Sequence, residues 1–367
     1  MPSADPQVVP REQVPLAPLS TLGVGGRARW FLRAESPQDV ASAHAWARDR
    51  GTSLFVLGGG SNVVIADEGI DGMVLQVALS GMAFARNGGD TLVTAGGGER
   101  WDDVVAAAVD RGLAGIECLS GIPGTVGGTP IQNVGAYGQE ISDTIDHVLV
   151  YDTTAGEATT LSARACGFTY RMSRFKREDA GRFVVCRVTF RLREGAPTTT
   201  YPDIVSHLER AGVSSPSVAA VRGAVLDVRR RKGMVISDDP DSRSVGSFFM
   251  NPIITAPEYE HVAALAGARP PAFPTAGARV KVSAAWLIER AGFQRGEVDG
   301  AAGISGKHTL ALINRGGATA RDVLRLAARI KRQVGERFGV SLSPEPVFVG
   351  FDRDPDVEYL LSTKLTN

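Results

Sequence analysis

Three short stretches of the chain hold the residues best suited to chemistry. In LGGGSN, Gly58, Gly59, Gly60, Ser61 and Asn62 follow the apolar run LFVL. Successive unblocked N–H groups leaving a strand suit the cradling of a pyrophosphate. A second loop, GIPGTVGGTPIQNVGAYGQE, carries Gly121, Pro123, Gly124, Thr125, Gly128, Asn133, Gly135, Ala136 and Tyr137. Either loop alone reads equally well as a tight turn. Two of them in successive α/β units favour one extended dinucleotide held from both sides. The third stretch, SVGSFFMNP, sets Ser247 between Gly246 and the pair Phe248 and Phe249. On its own residues Ser247 is a loop serine bonded to nearby backbone. The glycine permits an unusual backbone path and the aromatics would exclude water from a site there.

Other chemical patterns fail on inspection. GVGGRA, starting at Gly23, fits the loose G-x-G-x-x-A pattern, but RARWFLRA follows it and alternates like a strand. A dinucleotide fingerprint needs a helix opening on its last glycine. GAAGISGKHTL has Ala301 where a P-loop needs its first glycine and His308 where it needs a metal-binding hydroxyl. His308 reads instead as a polar core or surface group. The five histidines and three cysteines show no pair at metal-ligand spacing, so no metal site is expected.

Forty Lys and Arg against forty Asp and Glu give a formal net charge of zero. That argues against a general electrostatic grip on nucleic acid or an anionic membrane. No run of about 18 apolar residues is present, so no membrane insertion is expected. Cys118, Cys166 and Cys186 are odd in number and far apart, as in a reduced cytoplasmic protein with buried thiols. The opening MPSADPQVVPREQVP has no apolar signal core and reads as a disordered leader.

The elements that must carry these loops follow local signals. Ser36 and Pro37 start a helix that Gly51 stops. A short helix is expected around Val104 to Val109, ended by Gly112. Strands are expected at HVLVYDT, FVVCRVTFRLRE and VSLSPEPVFVGF. SPSVAAVRGAVLDVRRRKG reads as a helix started by Ser215 and Pro216, and VSAAWLIERAG as a short helix stopped by Gly292. In TARDVLRLAARIKRQVGERFGV, Thr319 and Asp322 form a capping box, and Val323, Leu326, Ala327, Ile330, Val334 and Phe338 share a face.

Five of these stretches occur together in one order: LGGGSNVVI, GIPGTVGGTPIQNVGAYGQE, YRMSRFK, GSFFMNP and LSPEPVFVG. In that order they resemble the UDP-N-acetylenolpyruvoylglucosamine reductases, the MurB family, from Leu19 to Phe351. The resemblance implies an α+β protein with an FAD-binding domain of the p-cresol methylhydroxylase (vanillyl-alcohol oxidase) type, made of two α/β subdomains, followed by an α+β substrate-binding domain. The corresponding boundaries are a leader over 1–18, the FAD-binding domain over 19–197 in subdomains of about 19–82 and 83–197, and the substrate-binding domain over 198–367. The last strand is a candidate to return to the first subdomain.

The resemblance further implies non-covalent FAD, NADPH as co-substrate, and reduction of UDP-N-acetylglucosamine enolpyruvate to UDP-N-acetylmuramate in peptidoglycan precursor synthesis. A cytoplasmic monomer is expected. The family's catalytic arginine falls on Arg171, its proton-donating serine on Ser247 and its catalytic glutamate on Glu345. Tyr201, in a T-Y-x-D context, matches the substrate-loop tyrosine of the family's long form. Lys232 and Asn251 match positions that hold the uridine diphosphate. Arg290 stands where the family often has glutamine, a departure that a diphosphate-binding arginine could accommodate.

The chemistry agrees with these positions. Hydride added to an enol ether conjugated with a carboxylate pushes charge onto the adjacent carbon and the carboxylate. A cation must meet that charge and a donor must protonate the carbon. Arginine suits the first task because it binds a carboxylate bidentately and stays charged. Another flavin oxidase or dehydrogenase of the superfamily is the alternative. Those often tether flavin through His or Cys, and neither glycine loop contains one. A non-catalytic nucleotide-binding module would not require Arg171, Ser247 and Glu345 together.

Overall fold

The computed structural model describes residues 9–275 and 277–363. The chain forms two compact units, one of Met1–Val14, Ala28–Gly60 and Asp71–Val235, the other of Pro15–Arg27, Ser61–Ile70 and Ile236–Asn367. Helices and strands are mixed in both, giving an α+β protein.

The first unit holds two sheets. The four-stranded sheet has the order Arg11–Pro15, Arg27–Ala34, Ile70–Val77, Leu54–Leu57, with the last two strands parallel. The helix Pro37–Asp49 covers it, starting in a capping box between Ser36 and Asp39 and burying Val40, Ala43 and Ala47. The larger sheet runs Glu157–Ser162, Ile145–Asp152, Phe183–Glu194, Asp90–Gly96, Met82–Asn87, all neighbours antiparallel. Trp101 begins the helix Trp101–Val109 that packs on this sheet; its ring meets Phe190 edge-on and its indole N–H donates to Leu119 O at 2.9 Å.

Two expectations need correction here. Residues 1–8 of the anticipated leader lie outside the described residues, but Arg11–Pro15 is an edge strand and Leu16 is fully buried. Backbone pairing to a neighbouring strand orders a segment whose own side chains are mostly exposed. The second helix after Tyr201 begins at Val218, not at Ser215 and Pro216; Ser217 is its cap, accepting from the Ala220 N–H. This helix, Val218–Arg231, and its predecessor, Pro202–Arg210, bury Ile204, Leu208, Val221 and Val225 with Cys118 inside the first unit. Both helices fall within the first compact unit, whose last segment runs to Val235.

The second unit is built around the helix Ala320–Phe338, whose Thr319–Asp322 capping box is formed. The whole anticipated apolar face is buried, from Val323 to Phe338. Lys331 is also buried, at 1% exposure, and its ammonium donates to the carbonyls of Tyr359, Leu360 and Ser362 at the end of the helix Pro355–Leu361. The last carbonyls of a helix have no partner further along it; Tyr359 O also accepts from the Ser362 N–H at 3.2 Å and hydroxyl at 2.8 Å. The anticipated strand VSLSPEPVFVGF shrinks to Val347–Val349, which pairs in parallel with Val63–Ile65. Pro344 and Pro346 lack the N–H groups a longer strand would need.

Candidate functional site

The loop Gly58–Gly60 leaves the carboxyl end of Leu54–Leu57, a strand in parallel pairing. Ligands of open α/β sheets gather at such strand ends. The loop lies against the second glycine loop. A Cβ on Gly59 would come within 2.8 Å of Gly124 Cα, and one on Gly58 within 2.9 Å of Thr125 Oγ1. At Gly59 only hydrogen fits between the two backbones, and at Gly58 the neighbour is a side-chain hydroxyl. Asp102 fixes the start of the second loop: Oδ1 accepts the Gly121 N–H at 2.6 Å, and both carboxylate oxygens accept from Arg222. Burial alone would raise the Asp102 pKa, but the Arg222 and Gly121 bonds outweigh it and hold it below the ordinary value. A Cβ on Gly121 would strike Leu226 Cδ2 at 2.8 Å. Two buried polar atoms at this loop, Thr125 Oγ1 and Arg229 Nε, have no hydrogen-bond partner among the described residues.

Arg171 holds the far end of the same loop. Its guanidinium donates to Gly135 O at 2.5 Å and to Asn133 O at 3.4 Å. Asn133, Tyr137 and Arg171 all have left-handed backbone, with φ of 46°, 49° and 54°. Non-glycine residues held there carry strain that gathers at functional sites. The Asn133 side chain is engaged within the protein, donating to Glu140 Oε2 and Thr169 O and accepting the Ser142 N–H. It shapes the loop. Gly128 has open space around its Cβ direction, and Ala136 pairs with Gln139 in a short hairpin.

Tyr137, Tyr201 and Lys232 meet in the first unit. The two phenol rings are edge-to-face at 5.2 Å and 88°. Lys232 lies with Nζ 5.8 Å from the Tyr137 ring centre and forms a 2.7 Å ion pair with Asp203. Burial raises both phenol pKa values, so both hydroxyls keep their protons as donors near neutrality.

The second unit brings Ser247 and Glu345 onto adjacent segments. Phe248 O accepts the Glu345 N–H at 2.9 Å, Ser343 O accepts the Met250 N–H at 3.0 Å, and Phe249 bridges Pro344. Gly246 turns the chain before Ser247 with φ 78°. Ser247 is half-buried. Phe248 and Phe249 are 0% and 1% exposed and belong to the core of this unit. They anchor the serine segment from beneath. Asn62 joins the same assembly: its Nδ2 donates to Glu345 O at 3.3 Å, and its own carbonyl accepts the Val347 N–H at 3.0 Å. Ser61 precedes it in the turn.

Asn251 and Arg290 sit at opposite ends of one short helix, Ala284–Arg290. Asn251 Oδ1 accepts the Ala284 N–H at 2.9 Å, and the exposed Arg290 places its guanidinium 5.5 Å from the Trp286 ring centre. All three cysteines are free and buried, and burial pushes the Cys118 thiol up to about 12. Among the described residues no group of three His, Cys, Asp or Glu side chains could hold a metal ion. Sequence reasoning missed Asp102, Asp203 and Arg229. The aspartate in the T-Y-x-D context was a visible signal for Asp203; Asp102 and Arg229 act through contacts distant in sequence.

Residues 28–162 match the FAD binding domain family, and residues 238–349 match the family described as UDP-N-acetylenolpyruvoylglucosamine reductase, C-terminal domain. The UDP-N-acetylenolpyruvoylglucosamine reductase of Thermobifida fusca is 49% identical over 348 residues, covering 92% of this chain and 97% of that protein. Its counterpart from Streptomyces coelicolor is 50% identical over 347 residues, covering 92% and 89%. Among solved structures, UDP-N-acetylenolpyruvylglucosamine reductase (MurB) from Thermus caldophilus is similar with a TM-score of 0.63 at 26% identity, covering 93% of this chain and all of that one. With this identity over nearly its full length, the chain belongs to the UDP-N-acetylenolpyruvoylglucosamine reductase family.

Proposed function

We propose that the protein reduces the enolpyruvyl ether of UDP-N-acetylglucosamine to the lactyl ether, giving UDP-N-acetylmuramate, with Arg171, Ser247 and Glu345 in the catalytic roles. It is an FAD-dependent oxidoreductase that uses NADPH and serves peptidoglycan precursor synthesis. The observation that carries the assignment of residues is the pairing of Phe248 with Glu345, which sets Ser247 and Glu345 on neighbouring segments of a rigid core.

The two interlocked glycine loops fit a dinucleotide. Gly58, Gly59, Gly60, Ser61 and Asn62 on one side, and the residues from Gly121 to Tyr137 on the other, would hold FAD without a covalent bond. The unpartnered Thr125 Oγ1 supports a polar ligand group at that loop. FAD held by these loops would supply hydride-transfer chemistry, with NADPH as the hydride source and the terminal carbon of the enolpyruvyl group as the acceptor.

Each protein group then has one task. The Arg171 guanidinium meets the charge that develops on the enolpyruvyl carboxylate. The Ser247 hydroxyl delivers a proton to the carbon bearing the ether oxygen. A serine is a weak acid, but a fixed position compensates for acidity when the donor needs no reorganisation. Glu345 orients or polarises the enolic carboxyl. Tyr201, Lys232, Asn251 and Arg290 hold the substrate's uridine diphosphate.

The reading places the enzyme in the cytoplasm as a monomer; the free, buried cysteines support a reducing compartment. No helix among the described residues is long and apolar enough to cross a membrane. The test is anaerobic mixing with NADPH and then with the enolpyruvyl sugar nucleotide while flavin absorbance is followed. Bleaching by the first and recovery on the second support the reading. Recovery with oxygen but not with the sugar nucleotide would make the protein an oxidase instead.

A further inference from the structure

The ion pair between Asp203 and Lys232 has no place yet in the substrate site. Asp203 is the second residue of the helix Pro202–Arg210, immediately after Tyr201 and Pro202. Pro202 fixes its own backbone φ, so Tyr201 and Asp203 enter the helix with little freedom between them. Lys232 is the C-cap of the helix Val218–Arg231, and its chain is turned there by Gly233 at φ 65°. The Arg229 guanidinium donates to Met234 O at 2.8 Å and closes that turn. A 2.7 Å contact, Lys232 Nζ to Asp203 Oδ2, joins the start of one helix to the end of the other, and Arg231 with His207 joins the same two helices further along.

Lysine has four rotatable bonds, and an unrestrained ammonium would sample many positions. Here the carboxylate holds it on one side and the Tyr137 ring lies 5.8 Å away, with Tyr201 edge-on to that ring at 5.2 Å. The side chains are 32% exposed at Lys232 and 46% at Asp203. A half-exposed ion pair of this kind adds little to stability. It can still fix geometry, because an ammonium has three donors and one carboxylate bond leaves it able to meet a phosphate oxygen.

We propose that Asp203 is a positioning residue for substrate binding: it holds the Lys232 ammonium beside Tyr201 so that both groups reach the sugar nucleotide's diphosphate together. The inference rests on the reading of Lys232 and Tyr201 as substrate contacts. Asp203 touches no reacting atom, so its removal should act on binding and spare the chemistry.

The test is steady-state kinetics on Asp203→Asn, Asp203→Glu, Lys232→Ala and the double variant Asp203→Asn/Lys232→Ala, each loaded with FAD. Asp203→Asn should raise KM for the enolpyruvyl sugar nucleotide about tenfold, within the range of a coupled charged pair. Its kcat and its rate of flavin reduction by NADPH should stay within about twofold, and Asp203→Glu should recover most of the loss. In the double variant Asp203→Asn should add less than about twofold to the effect of Lys232→Ala. An unchanged or lowered KM in Asp203→Asn, or effects that multiply in the double variant, would overturn the proposal. If Lys232→Ala itself leaves KM unchanged, the substrate reading of Lys232 fails and this inference with it. Reduced FAD content in Asp203→Asn would make its role structural and also overturn it.

Discussion

The amide of Glu345 donates to the carbonyl of Phe248 at 2.9 Å, so the glutamate and the serine at position 247 ride on two segments joined backbone to backbone. Beneath them Phe248 and Phe249 are locked into the core with Phe348. An error in one segment is transmitted to the other. Asn62, at the end of the first glycine loop, donates to the carbonyl of the same glutamate. A residue assigned to cofactor binding and one assigned to catalysis are therefore held by one hydrogen bond within one compact unit.

The contact between the glycine loops makes Gly59 the most informative position for cofactor binding. A methyl group there would meet Gly124 backbone atoms at 2.8 and 3.0 Å, and backbone cannot rotate away as a side chain could. Gly59→Ala should separate the loops and weaken FAD affinity by at least about tenfold, the loss that some 1.4 kcal/mol of misfit produces, and so lower the FAD retained through gel filtration. The flavin-to-protein absorbance ratio measures it. Full retention of flavin would show that the loop contact is not needed for the cofactor.

Tyr201→Phe removes a hydroxyl and keeps the ring that packs edge-on against Tyr137. Loss of a hydroxyl–phosphate bond should weaken substrate binding by about 1.5–3 kcal/mol. FAD content should not change. Calorimetric titration with the sugar nucleotide reads the first quantity and absorbance the second; equal affinity in both proteins would take Tyr201 out of the site.

Much of the local structure was legible in the sequence because its causes are local. The helix start at Ser36, the capping box at Thr319 and the apolar face of Ala320–Phe338 follow from residues a few positions apart. Arg11–Pro15 and Glu157–Ser162 were not legible. Their side chains are largely exposed, and their order comes from hydrogen bonds to strands distant in sequence. The site divides the same way. The glycine loops announce themselves by composition, while the clasp of Asp102 on Gly121, the ion pair of Asp203 with Lys232 and the pairing of Phe248 with Glu345 require the fold. Arg171, Ser247 and Glu345 became candidates as a set only through the resemblance to a family.

Acid should act on the first unit through Asp152. Its hydrogen bonds from Arg182 hold the carboxyl at about 2, against an ordinary value of 3.8, because they favour the ionised form. A depressed folded-state pKa contributes stability that is present above about pH 4 and is lost as pH falls through about 2. The thermal midpoint of Asp152→Asn should therefore lie below that of the parent at pH 6, and the gap should close between pH 4 and pH 2. A gap independent of pH would mean that the pair contributes nothing through ionisation.

Splitting the reaction into its two half-reactions separates a proton-donating Ser247 from a structural one. Reduction of bound flavin by NADPH needs no proton from this hydroxyl, whereas formation of the lactyl ether does. In anaerobic stopped-flow experiments Ser247→Ala should keep the NADPH half-reaction within about threefold of the parent rate. The enolpyruvyl half-reaction should slow by about 10²–10⁴, the factor a positioned general acid supplies. Ser247→Cys should retain part of the activity, because a thiol can donate a proton from nearly the same place. Equal slowing of both half-reactions by Ser247→Ala would make the serine structural, and no slowing of the second would mean that another group delivers the proton; either result would remove Ser247 as the proton donor.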